Sequence, residues 1–224
     1  MLLSADLRAL GADIAAFLLA ATCAGCGEPG ALLCDRCREE LEPRVSSTRT
    51  PNGLTVSSAL SFDGVAARCI RRLKGEGETL LARPLGASLA AVLRDPVVEG
   101  ALAVPVPTSA ASFRRRGYRV PELLIARAGF VPWRLLRTVG RRADQRGLGR
   151  VDRAANVRGG MRARRRGSGE RVVLVDDVVT TGATLDEGVA CLRDAGFEVV
   201  AAVALAATPR HSGLRGDPPE TRRK

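Results

Sequence analysis

Apolar residues recur along this chain in two different rhythms. Leu3, Leu7, Leu10, Ile14, Phe17 and Leu18 fall at helical spacing and predict an amphipathic helix over 1–22. From residue 54 onward, short apolar runs alternate with segments of helical period. The runs at 54–62, 101–106, 133–139, 172–175 and 197–206 predict strands, and 65–73, 78–93, 121–128 and 184–195 predict helices. Strands that alternate with helices predict an α/β fold with a parallel sheet, whose ligands sit beyond the C-terminal ends of the strands. Between these elements lie a Pro, Ser and Thr-rich stretch at 42–52, read as a linker, and a small, polar and then basic loop at 108–118. An Arg-rich, Gly-punctuated loop at 140–160 and a polar tail at 209–224 complete the set. The expected organisation is a helix at 1–22, a cysteine module with its linker at 23–50, a main domain at 54–208 and a disordered tail at 209–224.

Composition narrows this picture. Hydrophobic residues make up 46% of the 224, enough for one full core plus a small module, but aromatics are only 3%, so Ala, Val and Leu must fill it. Of 35 basic residues only Lys74 and Lys224 are lysines. The net charge of +11 is concentrated between Arg134 and Arg166, where twelve arginines face Asp144 and Asp152. Such a segment suits a polyanion, either pyrophosphate or nucleic acid, or else forms a solvated charged loop. The apolar stretch at 1–22 is too short to span a bilayer, lacks a basic start and leads into Thr-Cys. No membrane span, signal peptide or lipid anchor is therefore expected, and the expected location is the cytoplasm.

The stretch RVVLVDDVVTTGATL at 171–185 carries the clearest chemistry. A buried strand should end at Asp176 and Asp177, and a Thr and Gly-containing loop should lead into a helix. A helix N-terminus offers free backbone N–H groups and a partial positive charge to a phosphate. Thr180, Thr181 and Thr184 add hydroxyl donors, while Gly182 and Ala183 let the backbone approach an anion closely, Gly182 being free to take a positive φ. Carboxylates are acceptors, so the natural partners of Asp176 and Asp177 are ribose hydroxyls, a hydrated magnesium ion, or both. In the loop at 108–118, Arg114, Arg115 and Arg116 stand ready to grip an anion beside Gly117. Lys74, beside Gly75 and Gly77, is either a phosphate contact or a surface residue.

Upstream, Cys23-x2-Cys26 and Cys34-x2-Cys37 form two CxxC pairs separated by a short Gly and Pro-containing connection. In a reducing compartment that spacing suits tetrahedral thiolate ligation of structural zinc better than disulfides or an iron–sulfur cluster. Cys69 and Cys191 stand alone and read as small buried residues.

The residues at 172–184 resemble the phosphoribosyl pyrophosphate (PRPP) motif of the type I phosphoribosyltransferases. Together with VPVP at 104–107 followed by a basic loop and an aromatic, the set Gln145, Leu148, Arg153 and Asn156, and the paired CxxC module, the chain is similar to the ComF family of competence-associated proteins. Arg119 and Asp144 stand where that family usually has Asn and Thr. The resemblance implies a type I phosphoribosyltransferase fold with an N-terminal zinc ribbon. It implies that Asp176 and Asp177 contact the ribose 2′- and 3′-hydroxyls, that residues 180–184 wrap the 5′-phosphate, and that Arg114, Arg115, Arg116 and Gly117 form the pyrophosphate loop. The Arg-rich loop would close over PRPP, with Arg146 and Arg153 counted beside the aspartates as catalytic. Magnesium would accompany PRPP, and an unknown acceptor would receive the phosphoribosyl group. The family name also implies a link to DNA uptake, which leaves two alternatives: a non-catalytic factor touching single-stranded DNA or the uptake machinery, and a PRPP sensor without turnover.

Overall fold

The computed structural model describes residues 21–139 and 160–209. The elements, in chain order, are α1 (Asp35–Glu39), β1 (Ser46–Arg49), β2 (Thr55–Ser61), α2 (Gly64–Gly75), α3 (Ala82–Val98) and β3 (Leu102–Pro105). They continue with α4 (Ala110–Arg116), α5 (Val120–Arg127), β4 (Leu136–Thr138), β5 (Met161–Ala163), β6 (Arg171–Val179), α6 (Ala183–Asp194) and β7 (Glu198–Ala207). The expected helix at 1–22 and the tail at 209–224 fall almost wholly outside the described residues, as does nearly all of the loop at 140–160, with Arg146 and Arg153.

Five strands form the main sheet in the order β1-β2-β7-β6-β3. The four strands from β2 to β3 run parallel, and β1 alone pairs antiparallel, with β2. This is the expected α/β class. Parallel strands buried on both faces read as continuous apolar runs, and β6 shows why. Val173 and Val175 enter a core shared with α2, α3 and α5, while Val172 and Leu174 enter a second core shared with α6 and the β4–β5 hairpin. The sheet is thus the middle of three layers.

Three expectations need correcting. The stretch read as a linker supplies the edge strand β1, and Thr50 within it is buried. Its Ser, Thr and Arg side chains, all exposed but the half-buried Thr48, carry no apolar alternation because an edge strand facing water needs none. The loop expected at 108–118 contains α4, a helix with no buried residue, started by Ser109, whose hydroxyl accepts a bond from the Ser112 amide at 3.2 Å. The strand carrying the acid pair does not end there, because β7 continues to pair with it as far as Val179 opposite Ala207.

Candidate functional site

The parallel strands β2, β3, β6 and β7 bring their C-terminal ends to one edge of the sheet. β3 ends with Pro105 opposite Val175, so at Asp176 and Asp177 the chain has outrun its β3 neighbour. The two carboxylates stand half-buried at that step, and the Asp177 amide donates to Asp176 Oδ1 at 2.8 Å. Burial, and then the charge of Asp177, push the Asp176 carboxyl up to about 7, against the opposing pull of the Asp177 amide and of Lys74. Lys74, in the last turn of α2, places its ammonium 2.7 Å from Asp177 Oδ1. The choice between a phosphate contact and a surface residue thus has a third outcome, an ion pair inside the site with an Asp177 side chain only 14% exposed.

Beyond the acid pair the chain turns through exposed Thr180 and Thr181 to Gly182, which caps α6 with φ +82°. Gly182 is required twice over. A Cβ there would lie 2.4 Å from Thr50 Cγ2, and its φ is one that other residues rarely adopt. No side chain caps α6, and only the Ala183 amide meets the Thr181 hydroxyl, at 3.4 Å, so the N-terminus keeps donors for an anion. Ala183 and Thr184 are half-buried at its first turn.

Sequence reasoning missed what holds this turn in place. Thr50 donates to Asp186 Oδ1 at 2.5 Å, the Asn52 amide donates to Asp186 Oδ2 at 3.1 Å, and the Leu54 amide donates to the Thr50 hydroxyl at 3.0 Å. Asp186 lies in the first turn of α6, where its charge also suits the helix dipole. The only hint in the sequence was a carboxylate two residues after Thr184.

On the β3 side, α4 ends at Gly117, whose left-handed conformation (φ +80°) turns the chain into α5. Arg114 and Arg115 are exposed, and Arg116 is half-buried with a buried Nε that has no hydrogen-bond partner among the described residues. Arg119 stacks 4.0 Å over the Phe113 ring and pairs with Glu122 at 3.7 Å, so the residue where the resembling family usually has Asn braces this corner. Tyr118 donates its hydroxyl to the Leu73 carbonyl, next to Lys74. The structure therefore gathers Lys74, Arg116, Gly117, Asp176, Asp177 and residues 180–184 around one sheet edge. A groove of about 930 Å³ runs between α6 and the β4–β5 hairpin and reaches this turn through Ala183, Asp186 and Asn52, while Asp176, Asp177 and Thr180 do not line it.

The cysteines form a second centre. The sulfurs of Cys23, Cys26, Cys34 and Cys37 all lie within 4.8 Å of one another. Cys23–Cys34 and Cys26–Cys34 separations are both 3.7 Å. Four thiolates around zinc at about 2.3 Å stand about 3.8 Å apart in a tetrahedron, so the set fits zinc, and all six cysteines of the chain are free of disulfides. The Gly25 and Cys34 amides donate to Cys23 Sγ, each at 3.4 Å. Burial opposes the Cys23 thiolate, but backbone amides including these two prevail and bring the thiol down to about 6. Gly25 is obligatory, since a Cβ there would meet Cys37 Sγ at 2.6 Å. Cys69 is fully buried, with burial pushing its thiol up to about 11, whereas Cys191 is only half-buried.

Comparison with known proteins bears on the sheet-edge site. Residues 115–218 match a family model described as phosphoribosyl transferase domain. The matched stretch takes in β4, β5, β6, α6 and β7, with the acid pair and the Gly182 turn. Orotate phosphoribosyltransferases of Brucella ovis and Brucella abortus are 51% identical to the chain over 37 residues, 16% of this chain and 19% of theirs. The chain thus spans about a fifth of the length of these relatives. Among solved structures, UMP synthase of Leishmania donovani matches at TM-score 0.39 and 19% identity, covering 77% of this chain and 31% of that one. The adenine phosphoribosyltransferase of Rhodothermus marinus matches at TM-score 0.38 and 17% identity, covering 78% and 88%. Among the described residues no helix is long and apolar enough to cross a membrane.

Proposed function

We propose that the chain is a PRPP-binding phosphoribosyltransferase-like protein of the ComF type, which transfers phosphoribose to an acceptor with release of pyrophosphate. The observation that carries this reading is the juxtaposition, on one strand and turn, of a half-buried acid pair and an uncapped helix N-terminus, within the stretch that matches the phosphoribosyl transferase domain. In this reading Asp176 and Asp177 accept from ribose hydroxyls. The Gly182 turn, with Thr180, Thr181, Ala183 and Thr184, holds the 5′-phosphate through N–H and hydroxyl donors. Arg114, Arg115, Arg116 and Gly117 face the leaving diphosphate from the β3 side, where cationic charge stabilises the negative charge that develops as the bond to ribose C1 breaks. The oxygen donors of the acid pair suit magnesium, which would travel with PRPP and neutralise that same diphosphate. Arg146 and Arg153 belong to the proposed lid that excludes water from the ribosyl centre. Zinc is structural in this scheme and takes no part in the chemistry.

Calorimetry with PRPP in the presence and absence of magnesium tests the reading. We expect magnesium-dependent binding that the Asp176→Asn, Asp177→Asn double variant loses. Absence of such binding in folded, zinc-loaded protein would sink both a transferase and a PRPP sensor, and a pyrophosphate-release screen over acceptors then separates those two. The link to DNA uptake is favoured by exposed Arg114 and Arg115. It predicts affinity for single-stranded DNA that falls steeply with added salt.

A further inference from the structure

Helix α2 ends with carbonyls that have no partner inside the helix, as every α-helix does. The Glu76 amide closes back onto the Arg72 carbonyl at 2.9 Å, and the next carbonyl, that of Leu73, takes the Tyr118 hydroxyl instead. Tyr118 can reach it because Gly117, in the left-handed region, reverses the chain directly after α4. The residue following Leu73 is Lys74, whose ammonium is 2.7 Å from Asp177 Oδ1, and the Asp177 amide in turn donates to Asp176 Oδ1 at 2.8 Å. A continuous chain of contacts therefore runs from Tyr118 through the last turn of α2 to both carboxylates.

The geometry points to Tyr118 as the positioning residue for Lys74: its hydroxyl fixes the last turn of α2 so that the ammonium sits on the acid pair. This inference rests on the reading of that pair as the ribose-phosphate site. Two adjacent carboxylates repel a polyanionic sugar phosphate, and a cation held against one of them offsets that repulsion before the ligand arrives. A lysine side chain is long and rotamer-rich, so an ammonium on a loose helix end would spend most of its time in water. Anchoring the helix end removes backbone freedom that the side chain alone cannot remove. A phenol is protonated at neutral pH, so Tyr118 is a donor there, and burial pushes its hydroxyl still further from ionisation.

The composition makes the test unusually clean, because Lys74 and Lys224 are the only lysines. In protein carrying isotope-labelled lysine, two side-chain signals are expected, assigned with Lys224→Arg. The Lys74 signal should stand apart from that of Lys224 and react more slowly with an amine-acylating reagent. Tyr118→Phe should move the Lys74 signal toward that of Lys224 and raise its acylation rate about threefold to tenfold, the effect of losing one net hydrogen bond. In PRPP titrations with magnesium, Tyr118→Phe should weaken binding in the parent chain and leave it unchanged in a Lys74→Met background, since residues acting in series do not add. The inference is overturned if Lys74 is as reactive as Lys224 in the unmodified protein, a result that needs no folded variant. It is equally overturned if Tyr118→Phe leaves Lys74 untouched, or if its effect on binding persists undiminished with Lys74→Met. Failure of PRPP to bind while Tyr118→Phe still frees Lys74 would refute the proposed function and leave the positioning role standing.

Discussion

At the scale of single residues, Asp176 and Gly182 bear the sharpest consequences. The Asp176 carboxyl is held at about 7 by burial and by its Asp177 neighbour, well above the usual carboxylate range. The folded protein thus holds this proton more tightly than the unfolded chain does. Ionising the group costs stability, a cost absent at pH below about 4, growing as pH rises toward 7 and constant beyond it. Asp176→Asn should therefore melt several degrees above the parent at pH 8 and converge with it near pH 4. Melting curves that stay parallel across that range would contradict the burial argument. At Gly182, Ala meets both an unfavourable φ and the Thr50 side chain. Gly182→Ala should lose about 1–3 kcal/mol in urea unfolding and weaken PRPP binding further, because the turn that offers the α6 amides is displaced. The need for glycine was legible in the sequence as a positive-φ turn before a helix. The close approach of Thr50 was not, because it joins residues separated by most of the chain.

At the scale of elements, what the sequence revealed depended on how much apolar surface each element buries. β6, β7, α2, α3 and α6 each contribute to a core, and the period of their hydrophobic residues shows it. β1 and α4 bury almost nothing, so Ser46–Arg49 reads as linker and Ala110–Arg116 as loop. Yet in the proposed function these two complete the site: α4 carries the arginines, and the turn after β1 delivers Thr50 and Asn52 to Asp186. Thr50→Val keeps the shape and removes the hydroxyl that joins Asp186 to the Leu54 amide. The expected cost is about 1–3 kcal/mol, since a buried carboxylate oxygen and an amide lose their partner. Asp186→Asn should cost less in the parent and almost nothing on top of Thr50→Val, a coupling that a double-mutant cycle in urea would register. Additive losses would mean that Thr50 acts by packing alone.

At the scale of the whole molecule, the cysteine module and the α/β sheet share a single interior. Cys23, Ala24, Leu33, Cys37 and Leu41 belong to the same buried cluster as Ile70, Leu73, Leu85 and Val203. Arg68 on α2 donates its Nε to the Gly25 carbonyl, and a Cβ on Gly25 would touch Val65 at the start of the same helix. The paired CxxC spacing made the clustering of the four sulfurs legible, but nothing in spacing alone shows that the module rests on the helix that carries Lys74. If the four cysteines hold zinc as thiolates, its removal obliges them to take up protons and gives up the bonds that draw them together, which loosens the Cys23–Gly27 knuckle and with it the packing of α2. Stripping the metal with a chelator should therefore lower the melting temperature of the entire chain in one cooperative transition. It should also weaken PRPP binding although no cysteine is expected to touch the ligand. Cys37→Ser should reproduce both effects, since Cys37 is fully buried and a hydroxyl there is a poorer zinc ligand. Two separate melting transitions, with the second unmoved by chelation, would show instead that the sheet and its acid pair stand independently of the metal.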